Sequence, residues 1–204
     1  TEGDIVAMNR NPERADGRAS DYDRLLGVYL NDHLAGAGAG VALMKRMMKA
    51  HRGQGAGPRL AELAEEVAAD RDSLREVMTA LDVPVRHRRL LAGALAEKAG
   101  RLKLNGRIVS RSPLSDVLEL EAGRVGVEGK KELWRTLRVV SRSEPRVDGE
   151  AMSRLLARAE RQADALETLR LAAVERTFGP RAHAAPRTGA SRRGGRRSAK
   201  PGWA

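Results

Sequence analysis

The chain of 204 residues contains no cysteine. That excludes a disulfide framework, a thiolate metal site and a cysteine nucleophile. Aromatic residues are almost as scarce, with one Phe, two Trp and two Tyr. Any core must therefore be built from Leu, Val, Ala and Met. No apolar run approaches the roughly 18 residues needed to span a bilayer. The first residues also lack the basic-then-apolar order of a secretory signal. These absences lead us to expect a soluble cytoplasmic protein that makes no membrane contact.

What is abundant is charge, and it is unevenly placed. Of the 38 Lys and Arg, seven lie in residues 181–204, where there is no acid. The rest of the chain holds 31 basic and 27 acidic side chains, so the net charge of +11 is largely that of a tail. Residues 1–20 are polar and aperiodic and read as a disordered leader. Residues 179–204, broken by Pro180, Pro186, Gly194, Gly195 and Pro201, read as a disordered basic tail.

Residues 21–178 carry helical periodicity in four long segments. The first spans Tyr22 to Ala50, with apolar steps through Leu26, Tyr29, Leu30, Leu34, Val41, Met44 and Met48. The second starts at Pro58, a favoured first-turn residue, and runs to Asp82 before Pro84. Ser112-Pro113 opens the third, which extends to Val140 along Leu114, Leu118, Ala122, Val125, Gly129, Leu133 and Leu137. The fourth runs from Asp148 to Phe178 and stops at Gly179-Pro180. Short linkers join the first pair and the second pair. Residues 84–111 form a long connection that holds a shorter helical piece, Arg88 to Ala99. The expected fold is all-α: an antiparallel four-helix bundle with a long crossover, containing a short helix, between helices 2 and 3.

In topology and texture this pattern resembles the ferritin-like superfamily, over residues 20–178. The stretches YLNDHLAGAGAGVALMKRMMKAHRG at 29–53 and LAELAEEVAADRDSLREVMTALDV at 60–83 look like its first two helices. AEKAGRLKLNGR at 96–107, followed by SPLSDVLELEAGRVGVEGKKELW, looks like the crossover and third helix of a bacterial branch. The resemblance implies a di-metal centre, held by one Glu from each of two helices and a Glu-x-x-His from each of the others. The ligands are absent here. Histidine occurs only at 33, 51, 87 and 183, never three residues after a Glu. No cofactor is expected.

Several ionisable residues nevertheless flank the stripes. His33 with Asp32, Asp70, Glu121 and Glu128 would suit a single divalent metal, because imidazole and carboxylate favour such ions. The bland alternative is a self-neutralising polar core network of His33, Asp70, Arg71 and Glu121, since a buried charge must be paired. Arg71 favours the second reading, because it supplies the positive charge a metal would bring. The run Ala35 to Gly40 alternates alanine and glycine inside a helix. It follows no strand and precedes no Lys-Ser/Thr, so it is a helix-contact ridge and not a phosphate loop.

Leu120, Val127 and Trp134 recur every seven residues opposite the main stripe of the third helix. Such a second apolar column needs a cover, either the crossover or a second subunit in a homodimer. The tail offers Arg192, Arg193, Arg196, Arg197 and Lys200 for nucleic-acid phosphates, with Trp203 available to stack on a base. Three functions are therefore in play. The leading one is a non-catalytic bundle acting by self-association or protein binding. The others are a metal-binding protein with a non-standard ligand set and a nucleic-acid-associated protein.

Overall fold

The structure, a computed structural model, describes the backbone of residues 12–86 and 112–180 and the side chains of 21–86 and 112–180. Among these residues there are four helices and no strand, and no helix is long and apolar enough to cross a membrane. They are α1 (Pro12–Ala50), α2 (Gly57–Ala80), α3 (Pro113–Val140) and α4 (Gly149–Phe178).

Local chemistry sets the ends. Ser112 has extended backbone and its hydroxyl accepts from the Leu114 N–H at 3.4 Å, with Pro113 next in the first turn. Asp148 caps α4 more strongly, accepting from the N–H groups of Glu150 at 2.8 Å and Ala151 at 3.0 Å. The end of α2 closes in a Schellman turn. The Val83 N–H reaches the Met78 carbonyl and the Asp82 N–H reaches Thr79, with Asp82 at φ 55°. α1 begins at Pro12, inside the stretch expected to be an irregular leader. Proline suits a first turn, and the Glu-Arg-Ala that follows is helix-favouring.

The packing register follows from named contacts. Along α1 and α2, Gly27 lies beside Val83 and Gly40 beside Val67. Along α1 and α3, Tyr29 donates to the Thr136 hydroxyl at 3.1 Å, Met44 abuts Gly123, and Arg46 donates to Glu119 at 3.0 Å. Along α3 and α4, Arg124 meets Glu167 at 3.1 Å and Thr177 donates to the Pro113 carbonyl at 3.3 Å. In each pair residue numbers rise on one helix as they fall on the other. One apolar cluster runs through all four helices, and its largest fully buried side chain is Trp134. Gly123 permits the tightest approach, because a Cβ there would sit 2.7 Å from the Met44 methyl.

α3 is rotated relative to the sequence expectation. Its buried face runs through Leu120, Gly123, Val127, Trp134 and Leu137, in steps of three, four and seven. Val125, expected inside, is 70% exposed. Leu120, Val127 and Trp134 are therefore core residues and not a surface for a second subunit. The glycine run of α1 is also used less than expected. A Cβ on Gly40 would sit 3.9 Å from Val67, while one on Gly36 or Gly38 would meet nothing within 4 Å among the described residues.

The segment that follows α2 is held against α1. Buried Asn31 donates from its amide to the carbonyls of Gly27 at 2.8 Å and Pro84 at 3.1 Å, and accepts from the Arg86 N–H at 2.6 Å. The short helix expected at Arg88 to Ala99 and the tail residues Arg192, Arg193, Arg196, Arg197, Lys200 and Trp203 lie outside the described residues.

Candidate functional site

The core stripes of three helices each carry a polar residue that reaches a common level. On α2 the steps Leu63, Val67, Leu74 and Met78 leave Asp70 at a core position, and it is 1% exposed. On α4 the same reasoning places Gln162 inside, at 0% exposed. On α3 the face that carries Val127 and Trp134 also carries Lys130, whose side chain is 13% exposed. The three meet in one layer.

Asp70 is its centre. One carboxylate oxygen accepts from the Arg158 guanidinium, including Nε at 2.7 Å. The other accepts from the Lys130 ammonium and from the Gln162 amide at 3.1 Å. Gln162 also donates to Glu66 at 2.9 Å and accepts from Lys130 through its carbonyl oxygen. Two carboxylates, two cations and one amide thus satisfy one another, with zero net charge. Burial pushes the Lys130 ammonium below the ordinary lysine range, and the charge of Asp70 opposes that shift. A network of this kind is costly when incomplete and positions its helices when complete.

The layer does not fit a pair of metal ions. Both oxygens of Asp70 are engaged by cationic donors, and Glu66 accepts the Gln162 amide. Lys130 and Arg158 bring positive charge from within the chain. Among the described residues no three His, Asp or Glu side chains converge to hold a metal.

The other sequence candidates lie apart. Asp32 is exposed, and half-buried His33 packs its ring edge-on to Tyr29 with centroids 4.6 Å apart. Burial lowers the His33 pKa, with the charge of Asp32 opposing. Arg71 does not serve Asp70; it donates to its neighbour Asp72 at 2.8 Å. Glu121 is 47% exposed and faces Arg170 at 3.8 Å, while Glu128 pairs with Lys131 at 2.8 Å. The expected network of His33, Asp70, Arg71 and Glu121 therefore contributes one member, Asp70, to the layer. The reason is rotational. Arg71 sits one residue, about 100°, round the helix from Asp70, and Glu121 lies on the outer side of the rotated α3.

A second polar cluster closes the end of the bundle where α1 finishes and α3 begins. His51, 6% exposed, has Nε2 3.1 Å from Asp116 and Nδ1 3.0 Å from the Gln54 side-chain oxygen. Arg176 approaches Asp116 at 3.9 Å. The sequence reading gave neither His51 nor the Lys130 and Arg158 pair a role. For Lys130 the signal is available in the steps Leu120, Gly123, Val127, Lys130 and Trp134. Comparison with known proteins finds no matching family model, no matching curated protein and no matching solved structure.

Proposed function

We propose that the chain is a non-catalytic helical bundle of ferritin-like topology that acts in the cytoplasm by binding another protein. In this arrangement α1 to α4 form an antiparallel bundle, and residues 87–111 are the crossover from α2 to α3. The opposed residue numbering of neighbouring helices supports that topology, as does the hold of Asn31 on Pro84 and Arg86 at the start of the crossover.

One observation carries the functional reading. The central layer of Glu66, Asp70, Lys130, Arg158 and Gln162 neutralises itself with side-chain cations. A bundle so arranged keeps a stable shape and offers its surfaces for recognition. Between the two modes of association, a protein partner is favoured over self-association. The apolar column of α3 that would have driven a homodimer is consumed by the bundle's own core.

The test is elemental analysis of the full chain purified without chelators, beside its Asp70→Asn variant. Iron, manganese and zinc well below one equivalent in both is the expected result. A stoichiometric metal that Asp70→Asn removes would overturn the reading. Mass measurement by light scattering at tens of micromolar is expected to give a monomer, and a concentration-independent dimer would return self-association to first place.

A further inference from the structure

α2 and α4 are bridged at the polar layer by long side chains, Arg158 to Asp70 and Gln162 to Glu66. Toward the end of α2 and the start of α4 they leave an open groove of about 560 Å³. Its floor is apolar, made by Val77, Ala80, Ala151, Met152 and Leu155. Its α4 wall carries Arg154, Arg158 and Arg161, and Arg146 stands at the end. The spacing i, i+4, i+7 puts the first three on one stripe of α4. The α2 wall contributes Ser73 and Glu76.

The charges of this groove are not balanced within it. Arg158 is committed to Asp70, and Arg146 to Glu144 and Asp82. Among the described residues Arg154 has long contacts to Asp148 at 3.6 Å and Glu150 at 3.8 Å, with its side chain 68% exposed. Among the described residues no ion pair holds Arg161, which is exposed. The Asp148 carboxylate is turned to backbone N–H groups of α4. One wall is thus basic, the other carries the single carboxylate of Glu76, and the floor between them is apolar.

We propose that this groove is the docking site for an acidic amphipathic helix of a partner protein; the proposal rests on the reading of the bundle as a protein-binding module. A helix lying between α2 and α4 would place its apolar stripe on the part-exposed Val77 and Leu155 and on exposed Ala80, with buried Met152 beneath them. Carboxylates two turns apart on its flank would meet Arg154 and Arg161 at their own spacing. The one-sided charge favours a helix over a nucleic acid, since a phosphate backbone carries negative charge along both of its edges and Glu76 would face one of them.

The probe is a fluorescein-labelled helical peptide with Leu on one face and Glu at i, i+4 and i+7 beside it. Partners are the same peptide with Gln for Glu and a labelled 20-nucleotide DNA. Anisotropy with the full chain is expected to show saturable binding of the Glu peptide, weakened at least tenfold in the Gln peptide. Arg154→Glu/Arg161→Glu is expected to weaken it at least tenfold while leaving the circular dichroism melt unchanged. Arg24→Glu/Arg59→Glu, the same charge change elsewhere, is expected to leave it intact. No binding of the Glu peptide at 100 μM, or an equal loss in both charge-reversed pairs, overturns the proposal. So does DNA binding that is tighter than the peptide's and is lost in Arg154→Glu/Arg161→Glu. A null peptide result with metal-free protein removes only the groove, whereas stoichiometric metal removes the protein-binding reading itself.

Discussion

Replacing Lys130 by Met tests whether the central layer is held by charge. The substitution keeps an unbranched side chain of nearly the same reach and removes its ammonium. Asp70, at 1% exposure, would then keep Arg158 and Gln162 but lose the cation on its second oxygen. Breaking a buried pair by removing one partner costs roughly 3–5 kcal/mol. Because Arg158 remains, the lower end applies, about 3 kcal/mol. That is a large part of the roughly 5–15 kcal/mol that stabilises a typical domain. With a urea slope of about 2 kcal/mol per molar, the midpoint should fall by about 1.5 M.

The control is the adjacent Lys131→Met. Lys131 pairs with Glu128, which is 46% exposed and can hydrate itself, so its loss should cost about 0–1 kcal/mol. Urea unfolding followed by circular dichroism at pH 7 reads both. Equal shifts for the two variants would refute the argument. A triple variant, Asp70→Leu with Lys130→Met and Arg158→Met, separates charge from shape. It should recover at least the stability lost by Lys130→Met alone, because apolar residues often replace a buried ion network without loss. A triple variant weaker than the single one would place the cost in packing.

Three further outcomes follow from other sites. The two guanidinium hydrogen bonds from Arg146 hold Glu144 down at about 2, against an ordinary 4.5, so its contribution is present above pH 4.5 and lost as pH falls through about 2. Glu144→Gln should flatten the acid limb of the stability profile over that window, and an unchanged limb would refute it. His33 is held below 6.5 by burial, so the unfolded chain takes up its proton first and stability falls as pH drops below 6.5 toward the folded value. NMR titration of its ring should give a midpoint under 6.5; one above it would contradict the packing against Tyr29. Gly123→Ala should change stability by less than about 1 kcal/mol, because the Met44 methyl can move aside while the helix gains propensity. Gly123→Val should cost about 1–3 kcal/mol by overpacking, read as a lowered melting temperature.

The helices were legible because their signals are local. Pro58, Ser112-Pro113 and Asp148 fix starts, and Gly179 and the Schellman turn at Asp82 fix ends, close to where periodicity placed them. The rotation of α3 was less legible. Its buried face contains Gly123 and Lys130, which a hydrophobicity count scores against it. Gly123 belongs inside because Met44 and Leu166 fill the space a side chain would take, and Lys130 because Asp70 waits for it. Neither neighbour is on α3, so no reading of that helix alone could supply them.

Asp70 and Gln162 are different again. Their place in the core stripes of α2 and α4 follows from spacing, so burial of an acid and an amide was readable. Which cation answers the acid was not. Arg71 is next to Asp70 in the chain but points about 100° away round the helix. Arg158 is 88 residues distant and donates two hydrogen bonds to it.

By itself the sequence determined the helical class, the caps of α3 and α4 and the positions of core stripes on α1, α2 and α4, because each rests on contacts within a few residues or on the 3.6-residue period; the start of α1 at Pro12 it did not give. Tertiary structure alone decided the face that α3 buries, the cations that neutralise Asp70 and the open basic groove between α2 and α4. Those depend on how far apart helices stand and which long side chains reach across, and such distances are set only when all four helices share one core.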